Sequence, residues 1–196
     1  LIKKTRLSAF SNPRKAGIVG ITLDKDDLLI ETSLTDGKQQ ILLATKEGKS
    51  VQFKEEQVRD MGRQAKGVRG MRLSKKDEVI GMEVVPPESK KLGLYLLTVT
   101  SGGFAKRTDF DEYRLQSRGG KGIINIKVTS KIGTVVGMAS VTEEDEVMTV
   151  TKQAMMVRCA VKDIRKTGRN TQGVRLISLE KDDAVASLAK VVAKEE

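Results

Sequence analysis

Four short loops hold the residues of this sequence that are best suited to bind an anion. Each loop precedes a glycine and contains an arginine, and three of them also contain a lysine; they cover residues 11–16, 61–66, 116–121 and 167–172. An arginine can direct two N–H donors at the oxygens of one phosphate, and a lysine adds positive charge. Glycine lets the backbone approach a phosphate and turn its N–H groups toward it. Because the pattern recurs four times, phosphate binding explains it better than ordinary surface charge.

The charge of the whole chain indicates a polyanionic partner. Its 196 residues include 36 Lys and Arg against 26 Asp and Glu, which is a formal net charge of +10, and the sequence pI is about 9.7. Aromatic residues make up only 3%, with no Trp, which argues against single-stranded nucleic acid because its bases stack on aromatic side chains. A double helix held by its phosphates needs no such rings, so we expect duplex DNA as the partner.

Nucleophilic and metal-dependent catalysis are disfavoured by what the sequence lacks. It has no His and a single Cys, Cys159, so Ser-His and Cys-His mechanisms and most zinc sites have no imidazole. We therefore predict no catalytic residue, no metal ligand and no cofactor in this chain. We also expect a cytoplasmic location without a membrane segment, and a monomer when the domain is isolated. Because the chain starts at Leu1 rather than Met, we expect it to be a piece of a longer protein.

Two other groups of residues resemble functional motifs but are better explained as turns. Gly48-Lys49-Ser50 matches the end of a phosphate-binding P-loop. That motif needs glycine where Leu43 stands, and a helix should follow it. Carboxylates cluster at the same point of three repeats, around Asp27, Asp77 and Asp183. Turn chemistry accounts for this recurrence better than metal binding does.

An internal repeat organises the chain. Gly17, Gly67, Gly122 and Gly173 each open a segment with apolar residues one, four and six positions later, and the glycines lie 50, 55 and 51 residues apart. Units of this length, with short apolar runs bounded by turn residues, are typical of propeller-like blades of about four strands. We therefore predict an all-β fold with three full repeats and two partial ones. Their ranges are residues 1–16, 17–66, 67–121, 122–172 and 173–196.

The repeat also predicts three details of the fold. The step from one to four positions after the glycine breaks strict alternation, so it predicts a β-bulge in the opening strand. Residues 184–193 have a composition compatible with a helix, but their position in the repeat predicts a strand. The two partial repeats either join as one blade and close a ring, or leave an open arc.

The third loop carries a family resemblance. Gln116-Ser117-Arg118-Gly119-Gly120-Lys121-Gly122 resembles the signature box of the DNA gyrase A subunit, Gln-basic-Arg-Gly-Gly-basic-Gly, with Ser117 in place of one basic residue. Residues 7–14, 68–73 and 168–174 also resemble that subunit's C-terminal domain, so the resemblance covers essentially the whole chain. It implies a β-pinwheel, a ring of blades that exchange strands, with duplex DNA wrapped around its rim. The wrap would serve ATP-driven negative supercoiling by the parent topoisomerase.

The resemblance also implies partners and a place within the parent enzyme. The partners are the breakage-reunion domain of the A subunit, together with the gyrase B subunit; ATP and Mg would be used by other domains, and the location is the nucleoid. The family's full box belongs to the first blade, whereas only one further repeat follows the box-like loop here. This chain therefore resembles a piece that lacks the first blades, and it ends without the long acidic tail that family members often carry.

From the loops and the resemblance we predict a set of DNA-contacting residues. Those in the loops are Gln116, Arg118, Gly119, Gly120, Lys121, Gly122, Arg14, Lys15, Arg63, Lys66 and Arg169. Those added from the recurring strand just upstream are Lys4, Arg107 and Arg158, and the same strand carries Lys3, Lys54 and Lys106. The basic residues of this strand either form a second row of phosphate contacts or only keep an exposed strand soluble.

Two other functions are compatible with the sequence. Within the family, the alternative is the C-terminal domain of the topoisomerase IV A subunit, in which box loops are degenerate and the domain selects DNA crossings. From a different class, the chain is a propeller that binds other proteins, and its charge only maintains solubility. An enzyme acting alone is the least favoured hypothesis.

Overall fold

The computed structural model describes residues 1–191, which contain eleven β-strands and no α-helix. The strands are β1 (Gln40–Thr45), β2 (Lys49–Lys54), β3 (Val79–Val85), β4 (Tyr95–Thr100), β5 (Phe104–Asp109), β6 (Ile123–Ile124), β7 (Val135–Val141), β8 (Glu146–Thr151), β9 (Met156–Ala160), β10 (Val174–Arg175) and β11 (Val185–Val191). Short 3-10 helices lie at Leu7–Phe10, Glu55–Gln57, Phe110–Glu112 and Val161–Asp163. Nothing helical in this range is long and apolar enough to cross a membrane.

The strands form three antiparallel sheets built on one plan. Their orders are β3-β1-β2-β6, β7-β4-β5-β10 and β11-β8-β9. Each sheet contains a tight hairpin, which is β1–β2, β4–β5 or β8–β9. The edge strands β3, β7 and β11 pack against one another in succession, so the sheets meet along this inner edge and spread outward as blades. The predicted all-β, propeller-like architecture is confirmed.

Each blade is assembled from several repeats rather than from one. In the first sheet the hairpin comes from the repeat that begins at Gly17 and the inner strand β3 from the repeat at Gly67. The outer edge strand β6 comes from the repeat at Gly122, and β10 reaches back to β5 in the same way. This exchange of strands agrees with the pinwheel resemblance. A predicted repeat, cut at its glycines, is therefore not a blade.

The first hairpin strands β1 and β4 are buried on both faces because their blades are covered on both sides. Along β1, Ile41 and Leu43 pack into a cluster with Phe53. The intervening Leu42 packs into a different cluster that includes Leu96 of β4. Successive residues of a strand point to opposite faces, so alternate positions fill two different interfaces. This explains why the sequence shows continuous apolar runs here instead of strict alternation.

Three local predictions agree with the structure. The segment with helix-compatible composition is a strand, β11 (Val185–Val191), while residues 192 and 193 lie outside the described residues. Gly48 closes the β1–β2 hairpin with a φ of +79°, so the P-loop-like triplet is a turn. Asp77 and Asp183 each accept two backbone N–H bonds through Oδ1, as turn residues do.

The predicted bulge in the opening strand is wrong. After Gly122 and Gly173 the chain pairs for only two residues, as β6 and β10, and then leaves the sheet. The register shifts of the sheets lie between the hairpin and the inner strand instead. The apolar residues four positions after the glycines are buried because the chain has already turned toward the next blade. They are Met71, Ile126 and Ile177.

The two partial repeats do not join within the described residues. Near the N-terminus, Ile2 bridges to Val68 in the repeat that begins at Gly67. Lys4 bridges to Asp60 in the repeat that begins at Gly17. In the last sheet, β9 has only β8 as a strand neighbour in this part of the chain. Residues 1–34 carry most of the large exposed apolar side chains. Of the two predicted alternatives, the open arc describes residues 1–191.

Candidate nucleic-acid interface

The loops before the repeat glycines leave and rejoin the blades at equivalent points. The residue seven positions before Gly67, Gly122 or Gly173 forms a parallel bridge with the second hairpin strand or its N-terminal equivalent. These bridges are Lys4 with Asp60, Gln52 with Leu115, and Arg107 with Lys166. The residue after each glycine then pairs antiparallel with the same strand: Ile2 with Val68, Ser50 with Ile123, and Ala105 with Val174. Loops 61–66, 116–121 and 167–172 are thus anchored at both ends to the outer part of a blade.

The glycine that ends each docked loop is required by a close approach. Gly122 and Gly173 have φ values of +73° and +77°, in the left-handed region that favours glycine. A Cβ atom would collide with the backbone of Ser50 in the first case and of Ala105 in the second. Gly17 has a similar φ of +79° but open space around it. The close contact with the outer strand therefore determines where a docked loop ends.

Each loop also packs onto the preceding repeat, and this aligns the loops in one row. The contact is made by the residue five positions after a repeat glycine, which donates a hydrogen bond to a carbonyl of the next loop. The bonds run from Arg72 N to Gly120 O at 2.8 Å, from Lys127 N to Thr171 O at 2.9 Å, and from Thr22 Oγ1 to Gln64 O at 2.7 Å. The loops are therefore neighbours along the outer edges of successive blades, separated by single opening segments.

The loop arginines bind the protein itself. Nη1 of each docked arginine donates to the carbonyl two positions after the preceding repeat glycine. These bonds are Arg63 to Val19 at 2.7 Å, Arg118 to Arg69 at 3.0 Å, and Arg169 to Ile124 at 2.7 Å. Part of each guanidinium thus joins two adjacent repeats, so the predicted fork of two donors onto a phosphate would have to use the other N–H groups. Only the remaining N–H groups are available to a ligand.

Free positive charge in the loops comes from a different subset of the predicted residues. Arg14, Lys15 and Lys121 are exposed and form no salt bridge or side-chain hydrogen bond within residues 1–191. Lys66 is also exposed, but it pairs with the carboxylate of Asp24. The first three side chains are therefore the loop cations best placed to meet phosphate.

The box-like loop uses part of its own backbone for docking. Gln116 N donates to Gln52 O at 2.8 Å, and Gly119 N donates to Gly70 O at 2.6 Å. The next two amides, of Gly120 and Lys121, form no hydrogen bond within residues 1–191. Consecutive free amides next to a lysine are suited to bind an anion. Of the predicted box residues, these two thus remain in position to do so.

Arg107 is a structural residue, contrary to the prediction of a DNA contact. It is 8% exposed, and its Nε donates to Ile164 O at 2.7 Å. Its Nη1 pairs with Glu143, and its guanidinium lies over the Tyr95 ring, 5.0 Å from the centroid. These contacts occupy the group from several sides, so no phosphate can reach it without unpacking the blade.

The other two predicted residues of the upstream strand are paired with carboxylates. Arg158 forms a salt bridge with Glu146, and Lys4 lies 3.6 Å from Asp60. The exposed Lys54 is likewise 3.6 Å from Glu56. A second row of phosphate contacts along this strand would therefore have to displace these acids. The alternative of a strand kept soluble by charge fits this arrangement better.

Two basic side chains beside the loops were missed by the sequence reasoning. Arg72 and Lys127 are exposed and form no salt bridge within residues 1–191. Their backbone amides dock the next loop, so both side chains lie next to the row. The signal was present in the sequence, because both residues stand five positions after a repeat glycine.

Two lysines of the upstream strand lie beneath the docked loops. Lys106 Nζ donates to the carbonyls of Asn125, Gly168 and Arg169 at 2.6, 2.8 and 2.7 Å. Lys3 Nζ donates to those of Gly20 and Gly62 at 2.6 and 3.3 Å, and to that of Arg63. Burial lowers the pKa of Lys106 to about 7, with Glu112 opposing the shift and Arg169 adding to it. Burial and the nearby Arg63 also lower the pKa of Lys3.

Two observations concern metal binding and nucleophilic chemistry in the described residues. Residues 1–191 contain no group of three or more His, Cys, Asp or Glu side chains placed to hold a metal ion. Cys159 is half-buried, and burial together with Asp163 and Glu146 raises the pKa of its thiol. A raised pKa disfavours the thiolate, which is the nucleophilic form.

Comparison with known families and proteins identifies the same unit. The model of the DNA gyrase C-terminal domain, a beta-propeller, matches residues 1–36, 39–86, 94–142 and 145–191. The DNA gyrase A subunit of Salmonella typhimurium is 44% identical over 190 residues, which are 97% of this chain and 21% of that protein. The chain therefore spans about a fifth of the length of the curated relatives it matches.

Solved structures show the same fold. The structure of the DNA gyrase A C-terminal domain aligns with a TM-score of 0.80 and 27% identity, over 91% of this chain and 59% of that one. The C-terminal domain of DNA topoisomerase IV aligns with a TM-score of 0.88 and 25% identity, over 96% of this chain and 58% of that one. The last three of the four matched segments each begin with a hairpin and end with the inner strand that pairs with it. The unit of the family model is therefore a blade. Since the family model covers most of its length, this chain belongs to the DNA gyrase C-terminal domain family.

Proposed function

We propose that this chain binds duplex DNA along the row of loops at the outer edges of its blades and bends the duplex around them. The observation that carries the proposal is the equivalent docking of loops 61–66, 116–121 and 167–172 along one edge. A duplex carries one negative charge per about 1.7 Å of its axis, so a repeated cationic site matches its backbone. Because the blades spread from a common inner edge, a duplex that follows the row is bent.

The binding would be tolerant of DNA sequence. The free cation Lys121 belongs to the row, as do Arg72 and Lys127, and loop 11–16 adds Arg14 and Lys15; all five are exposed. Amides and basic side chains in short loops reach phosphate oxygens, whereas reading bases needs an element inserted in a groove. The net charge of +10 supports the same partner.

In a parent gyrase, this wrap would serve ATP-dependent negative supercoiling. Family membership and the gyrase A relatives support this role. The chain would present the bent duplex to the breakage-reunion domain of the A subunit. The gyrase B subunit would use ATP with Mg. We propose no catalytic residue in this chain itself, and a nucleoid location within the cytoplasm.

A topoisomerase IV role is the second candidate within the family. It is supported by the TM-score of 0.88 to that enzyme's C-terminal domain, but the 44% sequence identity to a gyrase A subunit favours gyrase. A DNA minicircle assay with the full enzyme separates the two. Gyrase changes the linking number on wrapping, whereas topoisomerase IV changes it little.

Salt dependence tests the proposed mode of binding. If the row makes about six phosphate contacts, the log–log slope of affinity against salt should be near −5, at roughly −0.9 per contact. Titration of a long labelled duplex at several salt concentrations measures this slope. An affinity that does not change between low and moderate salt would contradict the proposal. Retention on a phosphate resin without a mobility shift of duplex DNA would favour a protein-interaction propeller.

A loop variant tests where the duplex lies. Arg118→Ala combined with Lys121→Ala should weaken binding to every duplex by the same factor, because both groups act on the backbone. The matched control is Lys152→Ala with Lys162→Ala, which removes two exposed lysines outside the loops. Loss of binding for one DNA sequence only would mean base recognition, and an equal loss in the control would mean that overall charge alone matters.

A further inference from the structure

Lys3 and Lys106 occupy the same position of the repeat and make the same contacts. Each donates to the carbonyls of the second and third residues of a loop, which stand five and four positions before the repeat glycine. Each also donates to the carbonyl three positions after the preceding repeat glycine. A lysine ammonium has three N–H donors, so these contacts use all of them. The ammonium is therefore unavailable to a phosphate and ties a loop to the repeat before it.

A blade does not need a lysine at this position to fold. The equivalent residue of the first blade is Val51, which is buried, and that of the third is Val157. Lys106 is fully buried, and its hydrogen-bond partners are all neutral carbonyl groups. Burying a charge whose hydrogen-bond partners are all neutral is unfavourable compared with burying valine. The lysine, unlike valine, adds hydrogen bonds that hold the loop.

The carbonyls held by these ammonium groups determine where the loop amides point. In a trans peptide the C=O and N–H groups point in opposite directions. The Arg63 and Arg169 carbonyls face inward, toward Lys3 and Lys106. The next amide in each loop, of Gln64 or Asn170, therefore points away from the ammonium. Neither amide forms a hydrogen bond within residues 1–191, and both residues are exposed.

We propose that Lys3 and Lys106 are positioning residues for DNA binding, whose buried ammonium groups hold loops 61–66 and 167–172 in the shape that turns their amides toward a phosphate backbone. This inference rests on the proposed function. It assigns a role in DNA binding to two basic residues that would touch no DNA.

The test is Lys106→Met in the whole chain, compared with Lys162→Met, which removes an exposed lysine outside the loops. Amide hydrogen exchange is followed in loops 167–172 and 116–121, and duplex affinity is measured at the same pH and salt. For Lys106→Met we expect exchange of the Thr167 and Arg169 amides, which are hydrogen-bonded in the docked loop, to rise by about tenfold or more, because the loop opens locally. Exchange in loop 116–121 should stay unchanged, and duplex affinity should fall several-fold further than for Lys162→Met. The salt slope should stay that of the wild type, since no phosphate contact is removed.

The outcomes separate this inference from the proposed function. If the folded Lys106→Met variant binds duplex as tightly as Lys162→Met does, or its loop exchanges at the wild-type rate, the positioning role is overturned. A wild-type chain that binds no duplex would overturn the proposed function, and the exchange rates would still report whether Lys106 holds the loop. Should Lys106→Met not fold, Lys3→Met is measured in the same way on loop 61–66. Lys3 is only half-buried, and unchanged exchange and affinity there would equally overturn the inference.

Discussion

The two complete blades share one backbone plan but attach their loops with different chemistry. Around β4 and β5, Lys106 holds loop 167–172 through buried carbonyl contacts. Around β1 and β2, the equivalent residue is Val51, which offers loop 116–121 no donor. Glu112 contacts loop 167–172 through Arg169 N at 3.3 Å, and the residue at the same position of the first blade, Gln57, contacts loop 116–121. Its Oε1 accepts a bond from Arg118 N at 3.0 Å, and its Nε2 donates to the Gln116 carbonyl at 3.4 Å. The main chain thus places the loops, whereas side chains decide how firmly each is held and whether its attachment responds to pH.

The largest expected effect tests the shared backbone plan. Gly122→Ala and Gly173→Ala each place a Cβ against the outer strand in a left-handed conformation. We expect each to lower the free energy of unfolding by about 3 kcal/mol or more. Gly17→Ala, with open surroundings, should lower it by only about 1 kcal/mol. Urea denaturation measures all three, and an alanine tolerated at just one of the two blade positions would show that the plan is not shared.

A smaller difference in stability loss is expected between alanine variants of Gln52 and Arg107, which occupy the same position in the two blades. Arg107→Ala removes the stacking on Tyr95, the carbonyl bond to Ile164 and the pair with Glu143. It should lower the free energy of unfolding by about 2–3 kcal/mol, against about 1 kcal/mol for Gln52→Ala. The duplex affinity of the folded Arg107→Ala variant should equal that of the wild type. Weaker binding at unchanged stability would restore Arg107 as a DNA contact.

The response to pH should distinguish the two attachments. The folded pKa of Lys106 is about 7, below its usual value of 10.5. Between these values the unfolded chain holds a proton that the folded chain lacks. The contribution of Lys106 to the free energy of unfolding is therefore smallest below pH 7 and rises above it, by up to about 1.4 kcal/mol per pH unit. Urea denaturation of the wild type and Lys106→Met from about pH 6 to 10 measures the difference between them.

The control for this pH series is Val51→Ala in the other blade. Its difference from the wild type should not depend on pH, because neither side chain titrates. A flat difference for Lys106→Met as well would contradict the burial of a titrating ammonium beneath loop 167–172.

The smallest expected effect concerns charge at matching loop positions. Lys121 and Gln172 each stand directly before a repeat glycine. Lys121→Gln should reduce the magnitude of the salt slope by about 0.9, and Gln172→Lys should increase it by about 0.9. Duplex titrations at several salt concentrations detect both changes. If the slope responds in one loop only, just one of the two blades lies on the path of the duplex.

Local chemistry explains what could be predicted. A strand at β11 followed from the repeat despite its composition, because antiparallel pairing with β8 outweighs helix propensity. The turn at Gly48 could be predicted from the residues next to it in the sequence. The turn role of the Asp77 carboxylate could be predicted because carboxylates recur at the same point of three repeats. Loop 116–121 was located because its glycines and basic residues stand in a recognisable order.

The roles of neighbouring basic residues could not be predicted in the same way. Lys106 and Arg107 are adjacent, and the sequence shows them as one cationic pair. Lys106 points to loop carbonyls 62 and 63 residues further along the chain, while Arg107 stacks on Tyr95 and pairs with Glu143. Consecutive strand residues face opposite sides. The partners on those sides come from different repeats, so the pattern of charge alone does not reveal them.

By itself, the sequence determined the repeat, the all-β class, the turns and the place of the basic loops that we propose to bind phosphate, because these depend on glycine spacing, apolar runs and local hydrogen bonding. Only the tertiary structure decided which cations face solvent. The exchange of strands places residues from three repeats in one blade, and this buries Lys106 and Arg107 while it leaves Lys121 free. A basic side chain can bind a phosphate only if the surrounding chain has not already supplied acceptors for its N–H groups.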